Sequence, residues 1–428
     1  MNTEKLRILG PCRLRGTIRA SGAKNAALPI LAATLLTDEP VTLHHLPRVR
    51  DIRTMVQLLE HVGVDRVEGG HGADDPLTLQ VRDNGNPDEA PYDLVKTMRA
   101  SVLVLGPLLA RRGHARVSLP GGCAIGVRPV DQHLAGLEAL GAEVELQHGY
   151  IEARCRALRG ARFRFSTPTV GGTENLMMAA SLARGTTVLE NCAREPEIVD
   201  LARLLTTFGA RIEGAGESTI TIEGVERLGG GSHSVIPDRI EAGTYLVGAV
   251  MTGGDVTVAG TRPADLAPLL DILDQNGAIV EAVEGEHGAG IRVRAGDRLV
   301  PVDMTTAPHP GFPTDLQAQY MALMTCAEGE ARIEERIFEN RFQHVPELAR
   351  MGADIQLDGG HVARVRGPKR LSGAKVMATD LRASASLVLA GLTAEGETVV
   401  DRIYHLDRGY EGMESKLQKL GARVERFR

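Results

Sequence analysis

The run Leu201-Ala202-Arg203-Leu204-Leu205-Thr206-Thr207-Phe208-Gly209-Ala210 places apolar residues at i, i+3, i+4 and i+7, and then a glycine. That spacing lines one face of an amphipathic helix. A glycine just past the last turn suits a left-handed C′ residue, a conformation that strains any side chain. The step returns as Gly63-Val64, Gly141-Ala142, Gly277-Ala278, Gly352-Ala353 and Gly421-Ala422, so that six copies lie 68 to 78 residues apart. Leu266-Ala267-Pro268-Leu269-Leu270-Asp271-Ile272-Leu273 leads into the Gly277 copy with the same pattern.

Upstream of each amphipathic helix lies a short strand: Val41-Thr42-Leu43, Ala115-Arg116-Val117, Thr187-Val188-Leu189, Val256-Thr257-Val258, Ala331-Arg332-Ile333 and Thr398-Val399-Val400. Upstream again come six helices rich in small and apolar residues, read as 25–36, 97–110, 173–182, 240–251, 315–327 and 380–392. They are apolar nearly all round, so they belong inside. A period near 70 exceeds the 20–50 residues of solenoid repeats. Six α/β modules in two clusters of three fit the length better. Gly229-Gly230-Gly231-Ser232-His233-Ser234-Val235-Ile236-Pro237 separates the third module from the fourth and reads as a hinge. The first twenty residues read as a strand and a turn that could join either cluster.

The 428 residues are 43% hydrophobic, enough for a large core and two or three domains. Aromatics are 3% and Trp is absent, so the core is built from Leu, Val, Ile, Ala and Met. A net charge of −6 without any Lys/Arg run argues against nucleic-acid binding. No apolar stretch reaches the roughly 18 to 20 uncharged residues of a membrane span. Met1-Asn2-Thr3-Glu4-Lys5-Leu6 lacks the apolar stretch of a signal peptide. Cys12, Cys123, Cys155, Cys192 and Cys326 are odd in number and scattered, with no CxxC pair. That argues against a disulfide framework and a Cys-based zinc site, and favours a reducing cytoplasm.

Polar residues gather where the buried helices begin: Lys24-Asn25, Lys96 with Arg99, Gly171-Gly172-Thr173-Glu174-Asn175, Asp238-Arg239 with Glu241, Thr314-Asp315, and Asp380 with Arg382. Parallel helices in each cluster would bring three N-termini to one face, each with free N–H groups and about half a positive charge. Such faces attract phosphates or carboxylates. Each residue alone has a plainer reading. Lys24 could snorkel at the surface, Asp315 could be an N-cap, Arg382 could pair with Asp380, and His133 could be a satisfied helix histidine. Thr169-Val170-Gly171-Gly172 resembles an anion nest, and no P-loop or dinucleotide fingerprint occurs. Leu119-Pro120-Gly121-Gly122-Cys123-Ala124-Ile125-Gly126-Val127-Arg128-Pro129-Val130-Asp131 reads either as a mobile loop carrying a reactive sulfur or as a surface turn with an incidental cysteine. A neighbouring guanidinium would favour the thiolate.

These residues resemble one family. Ser21-Gly22-Ala23-Lys24-Asn25-Ala26, Thr97-Met98-Arg99-Ala100-Ser101, the Cys123 loop, Pro237-Asp238-Arg239-Ile240-Glu241-Ala242-Gly243-Thr244, Pro313-Thr314-Asp315-Leu316-Gln317-Ala318-Gln319, Glu339-Asn340-Arg341-Phe342, Asp380-Leu381-Arg382-Ala383-Ser384 and Asp407-Arg408-Gly409-Tyr410 are similar, in this order, to the UDP-N-acetylglucosamine 1-carboxyvinyltransferases. These are the enolpyruvyl transferase family of early peptidoglycan synthesis, and the match spans essentially the whole chain. It implies a two-domain inside-out α/β barrel, three modules per domain, with buried helices and outer sheets. The implied domains are 23–236, carrying the Cys loop, and 1–22 with 237–428, carrying the general base. The implied reaction moves the enolpyruvyl group of phosphoenolpyruvate to the 3-hydroxyl of UDP-N-acetylglucosamine through a tetrahedral intermediate and releases phosphate.

Residue by residue, the resemblance implies that Lys24, Arg128 and Arg408 hold phosphoenolpyruvate, whose several charges need more than one cation. Asp315 would orient the sugar hydroxyl and take its proton; near pKa 4 it is a weak base, so position matters more than strength. Cys123 would protonate the substrate methylene, form a covalent adduct and assist product release. Asn25 would contact the sugar and the intermediate. Arg99, Arg341, Arg382 and Asp380 would anchor substrate, with Ile337 beside them. Pro129, Val130, Asp131 and Gln132 would line the uridine pocket, and Thr169, Val170 and Gly171 would receive the diphosphate. No metal, cofactor, nucleic acid, membrane or obligate protein partner is implied. The family's roles in cell-wall biogenesis, cell shape and division, and its inactivation by fosfomycin at the loop cysteine, follow by the same resemblance. Thr169 stands where some members have Ser, and Leu103 where some have Trp. An enolpyruvylshikimate-phosphate synthase does not depend on a loop cysteine, and a non-catalytic UDP-sugar sensor would be expected to lose Cys123, Asp315 or Arg408.

Overall fold

The computed structural model describes residues 4–70, 75–82, 88–96, 98–119, 130–285 and 288–428. Thr97, Cys123, Arg128 and Pro129 lie outside them. The six modules each build one four-stranded sheet of the same design. In the fourth module Asp255–Ala259 follows the buried helix and Ile279–Gly285 follows the Gly277 turn, with Gly288–Arg294 between them and antiparallel to both. The fourth position is filled by a parallel strand from outside this run, here Arg15–Arg19.

Two more sheets, like the fourth, borrow strands across long sequence distances. Lys5–Gly10 is the third strand of the sixth sheet, between Gly396–Asp401 and Arg423–Phe427. Gly231–Ser234 runs parallel to Val41–His44 and completes the first sheet. The described residues thereby divide into two compact units: 22–119 with 130–236, and 4–21 with Pro237–Arg428. Each has its own apolar core.

The inner helices are buried on every side because they carry almost no polar side chains past their first turn. In Arg239–Met251 every residue from Ile240 onward is buried, and in Gln317–Met324 all eight are. Arg239–Met251, Gln317–Met324 and Leu381–Thr393 touch one another, with their sheets outside. The other unit packs Lys24–Ala33 and Leu105–Arg112 against Val170–Ala180 in the same manner. Each unit is thus an inside-out α/β barrel. Burying one Leu or Val fully is worth about 1.5–3 kcal/mol, and these helices share that burial with the outer helices and the inner faces of the sheets.

The glycine steps close the outer helices as their position demands. Gly63, Gly141, Gly209, Gly277, Gly352 and Gly421 all have φ between +89° and +99°. After Pro196–Thr207, the Gly209 N–H donates to the Thr206 carbonyl and the Ala210 N–H to the Leu205 carbonyl, both at 2.9 Å. This is the paired 5→2 and 6→1 closure of a Schellman turn.

Three expectations need correction. The second inner helix begins as a 3-10 turn, Arg99–Val104, before Leu105–Arg112. Pro107 has no N–H to give the Leu103 carbonyl, so an α-turn is unavailable there. The fifth likewise opens with the 3-10 turn Thr314–Leu316 and ends at Met324 rather than 327. The third starts at Val170, so Gly171 and Gly172 lie inside its first turn instead of forming a nest before it.

A Cβ placed on Gly209 would meet nothing within 4 Å, so its replacement is governed by backbone conformation alone. Gly209→Ala should destabilise the 22–236 unit by about 1–2 kcal/mol, Gly209→Asn by less and Gly209→Val by more. Urea unfolding midpoints would check the order; an alanine variant as stable as wild type would contradict it.

Candidate active site

Asp315 is the best-defined polar centre. It sits in the 3-10 turn that opens a buried helix, with its side chain 26% exposed. Its Oδ1 accepts from Arg341 Nη2 at 2.9 Å; its Oδ2 accepts from Arg382 Nη2 at 2.8 Å and Nε at 3.1 Å. Burial would raise the carboxyl pKa, but the two guanidiniums outweigh it and hold Asp315 well below the usual carboxylate range. Arg341 and Arg382 are 4% and 3% exposed. Each keeps one Nη1 without an acceptor among the described residues. Buried donors of that kind are costly, and an anionic ligand is what would satisfy them.

The pairing differs from the helix-start pair of Arg382 with Asp380. Asp380 instead caps Leu381–Thr393, its Oδ1 accepting from the Arg382 and Ala383 N–H groups at 2.8 and 3.0 Å. That frees the Arg382 side chain to reach Asp315, 67 residues away. Asp238 caps Arg239–Met251 in the same way. Behind the pair, Gln319 Nε2 donates to the Tyr410 hydroxyl at 3.1 Å, and that hydroxyl lies 2.9 Å from Thr244 Oγ1. The Arg382 guanidinium stands 5.4 Å from the Tyr410 ring centre. Three inner helices therefore meet near their N-terminal ends around the Tyr410 hydroxyl.

Arg408 ends the 3-10 turn Ile403–Arg408, two residues before Tyr410. The preceding Asp407 takes a two-pronged bond from Arg426 at 2.7 and 3.0 Å, which ties the turn to the C-terminal strand. Ile337 donates its backbone N–H to the buried Glu335 carboxylate.

In the 22–236 unit, Lys24 opens Lys24–Ala33 with its Nζ 3.4 Å from Asp51 Oδ2. Both side chains are mostly buried, at 12% and 6% exposure, so Lys24 is not a snorkelling surface residue. Asn25 beside it is exposed. His133 is a satisfied helix histidine. Asn175 Oδ1 accepts the Gly106 N–H, which turns its Nδ2 toward Val102 O and His133 Nδ1. Burial and then the charge of Arg99 push His133 down to about 4, so it stays neutral. Arg99, Asp131 and His133 are thus close enough to feel one another. Gly171 belongs with them, since a Cβ there would sit 3.3 Å from the His133 ring.

Gln132 pins the turn ahead of the third helix, its Oε1 accepting from the Ser166 N–H at 2.7 Å and its Nε2 donating to the Thr167 carbonyl at 3.2 Å. Thr169 is the N-cap of Val170–Ala180 and accepts the Gly172 N–H, so one donor of the expected anion site is used within the protein. Val130 and Val170 pack against the core. Among the described residues no three His, Cys, Asp or Glu side chains gather as a metal site needs, and no helix is long and apolar enough to cross a membrane.

Asp51, Glu335, Asn175 and Tyr410 were not singled out individually from sequence as partners of the site. Asp51 reads as an ordinary first-turn acid of an amphipathic helix, and Glu335 as part of a charged surface run.

Because the folded pKa of Asp315 is depressed, its pairing stabilises fully above the ordinary carboxylate value near 3.9 and is lost as pH falls through the folded pKa. Asp315→Asn should therefore destabilise most near neutral pH. Breaking a buried pair costs about 3–5 kcal/mol, and the partial exposure of Asp315 places the loss at the low end. Urea unfolding should show the gap from wild type narrowing below about pH 4; a gap independent of pH would contradict an ionic origin.

The sequence model of the EPSP synthase family (3-phosphoshikimate 1-carboxyvinyltransferase) matches residues 8–417. The chain is 59% identical over 426 residues to a UDP-N-acetylglucosamine 1-carboxyvinyltransferase of Solibacter usitatus (strain Ellin6076), covering 99% of both chains. It is 57% identical over 424 residues, again 99% of both, to the enzyme of that name from Nitratidesulfovibrio vulgaris (strain DSM 19637 / Miyazaki F). Among solved structures it superposes on the enolpyruvyl transferase NikO from Streptomyces tendae with a TM-score of 0.87 at 28% identity, over 99% of each chain. An EPSP synthase from Acinetobacter baumannii, at 19% identity and a TM-score of 0.76 over the full length of both chains, shares the fold. A full-length match to the family model, with relatives well above half identical along the whole chain, makes this protein a transferase that belongs to the UDP-N-acetylglucosamine 1-carboxyvinyltransferase family.

Proposed function

We propose that the protein transfers the enolpyruvyl group of phosphoenolpyruvate to the 3-hydroxyl of UDP-N-acetylglucosamine and releases phosphate, the first committed step of peptidoglycan synthesis. The observation that carries this reading is the Asp315 carboxylate gripped by two buried guanidiniums at the start of a buried helix, in a chain whose full-length relatives bear that enzyme's name.

The substrates bring a diphosphate, a phosphate and a carboxylate. Lys24, Arg128 and Arg408 supply cations for phosphoenolpyruvate, and Arg99, Arg341 and Arg382 for the remaining charge. Asn25 contacts the sugar. Pro129, Val130, Asp131 and Gln132 line the uridine site, and the Thr169-Val170-Gly171 helix start receives the diphosphate through its remaining N–H groups. Ile337 and Asp380 complete the sugar-nucleotide contacts.

Chemistry begins with proton transfer from Cys123 to the methylene carbon, while the sugar oxygen bonds to the central carbon and Asp315 takes the hydroxyl proton. The tetrahedral intermediate then expels phosphate, which carries off the proton held by Asp315, and loss of a methyl proton to the Cys123 thiolate restores both the double bond and the thiol. Gripped by both guanidiniums, Asp315 is a weaker base than a free carboxylate. Anionic substrate groups that engage Arg341 and Arg382 would draw charge away from Asp315 and raise its basicity as substrate arrives. We place the reaction in the cytoplasm, where it serves cell-wall biogenesis and hence cell shape and division, without a cofactor or an obligate protein partner.

Phosphate release from phosphoenolpyruvate should require UDP-N-acetylglucosamine and collapse in both Cys123→Ala and Asp315→Ala. No release from folded wild type would overturn the reading. Fosfomycin should inactivate the enzyme by alkylating Cys123 alone. Burial raises the thiol pKa of Cys12, Cys155 and Cys326 and pushes Cys192 up to about 12, so the other four are poor nucleophiles. Intact-mass measurement should show one adduct; full activity after prolonged incubation would refute this.

A further inference from the structure

We infer that Glu335 is a positioning residue that sets Asp315 and the 336–341 segment in register for the reaction. The inference rests on the functional reading above and extends it to a buried side chain behind the Asp315 turn.

Glu335 follows the strand Gly329–Glu334 and is 1% exposed. Its Oε1 accepts from Thr306 Oγ1 at 2.9 Å, from the Ile337 N–H at 2.8 Å and from the Phe338 N–H at 3.1 Å. Its Oε2 accepts from Thr314 Oγ1 at 2.8 Å. Thr306 Oγ1 in turn accepts the Arg336 N–H at 2.9 Å. One carboxylate therefore ties two separate pieces of chain, the residue at 306 and the turn that opens at 314, to the loop from 336 to 338 that follows it directly.

Those pieces carry the site. Thr314 is covalently next to Asp315. Ile337 lies on the loop, and Arg341, which grips Asp315 Oδ1, follows three residues after Phe338. Glu335 thus holds the Asp315 turn from one side while Arg341 and Arg382 hold the carboxylate from the other. Hydrogen bonds to an ionised acceptor are about twice as strong as neutral ones, and a misplacement of about 1 Å in a reacting group can cost on the order of a hundredfold in rate. The charge matters to the geometry. An ionised carboxylate has acceptor sites on both oxygens, whereas a Gln would present an NH2 donor to one partner in place of an acceptor. A buried carboxylate kept only for stability would not need its contacts to converge on the residues flanking Asp315.

The test uses Glu335→Gln, Thr314→Val and Thr314→Ser in the full-length enzyme, measured for kcat, KM for each substrate, the pH profile of kcat, and urea unfolding. Thr314→Val removes the hydroxyl at nearly constant volume and should lower kcat about tenfold or more with little change in the KM for phosphoenolpyruvate. Thr314→Ser should restore most of it. Glu335→Gln should lower kcat at least as much and raise the KM for UDP-N-acetylglucosamine, because Ile337 shifts as well. Folded Glu335→Gln and Thr314→Val enzymes with wild-type kcat, KM and pH profile would overturn the inference. If Glu335→Gln fails to fold, Thr314→Val and its serine rescue decide alone. Wild type that releases no phosphate would refute the functional reading instead. The positioning is then judged by unfolding midpoints of Thr314→Val, Asp315→Asn and the double variant, where non-additive shifts support it and additive shifts overturn it.

Discussion

A helix that is apolar on every side has nowhere to place charge except its ends. Six such helices are packed inside two units, and the arrangement of polar groups follows from that confinement. Ions buried beside them must be capped, paired or bonded, because an unsatisfied one costs several kcal/mol. The first turns of the inner helices supply what is needed: exposed N–H groups, a favourable dipole and room for side chains. Asp238 and Asp380 meet their cost as caps. Asp315, Arg341 and Arg382 meet theirs through one another.

The outcome is that charge states within each unit are set by the fold itself. Asp315 is locked in its ionised form by two guanidiniums that still carry unspent donors. His133, by contrast, is kept neutral by burial and by Arg99. Each charge state is fixed by the neighbour that the fold supplies. The rigid modules behind, each closed by a left-handed glycine and backed by a four-stranded sheet, keep those neighbours in place.

Much of this was readable in the chain. Leu201 to Ala210 and its five counterparts marked the outer helices, because a 3.6-residue apolar period and a C′ glycine are both local properties. The inner helices were visible as small, apolar stretches, and their starts as the places where charge collects. Departures occurred where a local detail competed with the pattern. Pro107 turned a helix start into a 3-10 turn, and Thr169 drew two glycines into a helix that the pattern began three residues later.

By itself, then, the sequence determined the modules, their order and which faces are buried, since those depend on residues a few positions apart. Tertiary structure alone decided who pairs with whom. Arg382 could have turned to Asp380, two residues away; it reaches Asp315 because the two helix starts meet in space and Asp380 is already spent as a cap. Lys5–Gly10 could have joined either unit and is inserted into the last sheet, where it fills the gap between the strands at 396–401 and 423–427. Glu335 carries no local signal of its own, and only the folding of two distant segments, at 306 and 314, onto it made it a hub. Contacts between residues far apart in the chain leave no periodic trace, because they are set by how whole elements pack.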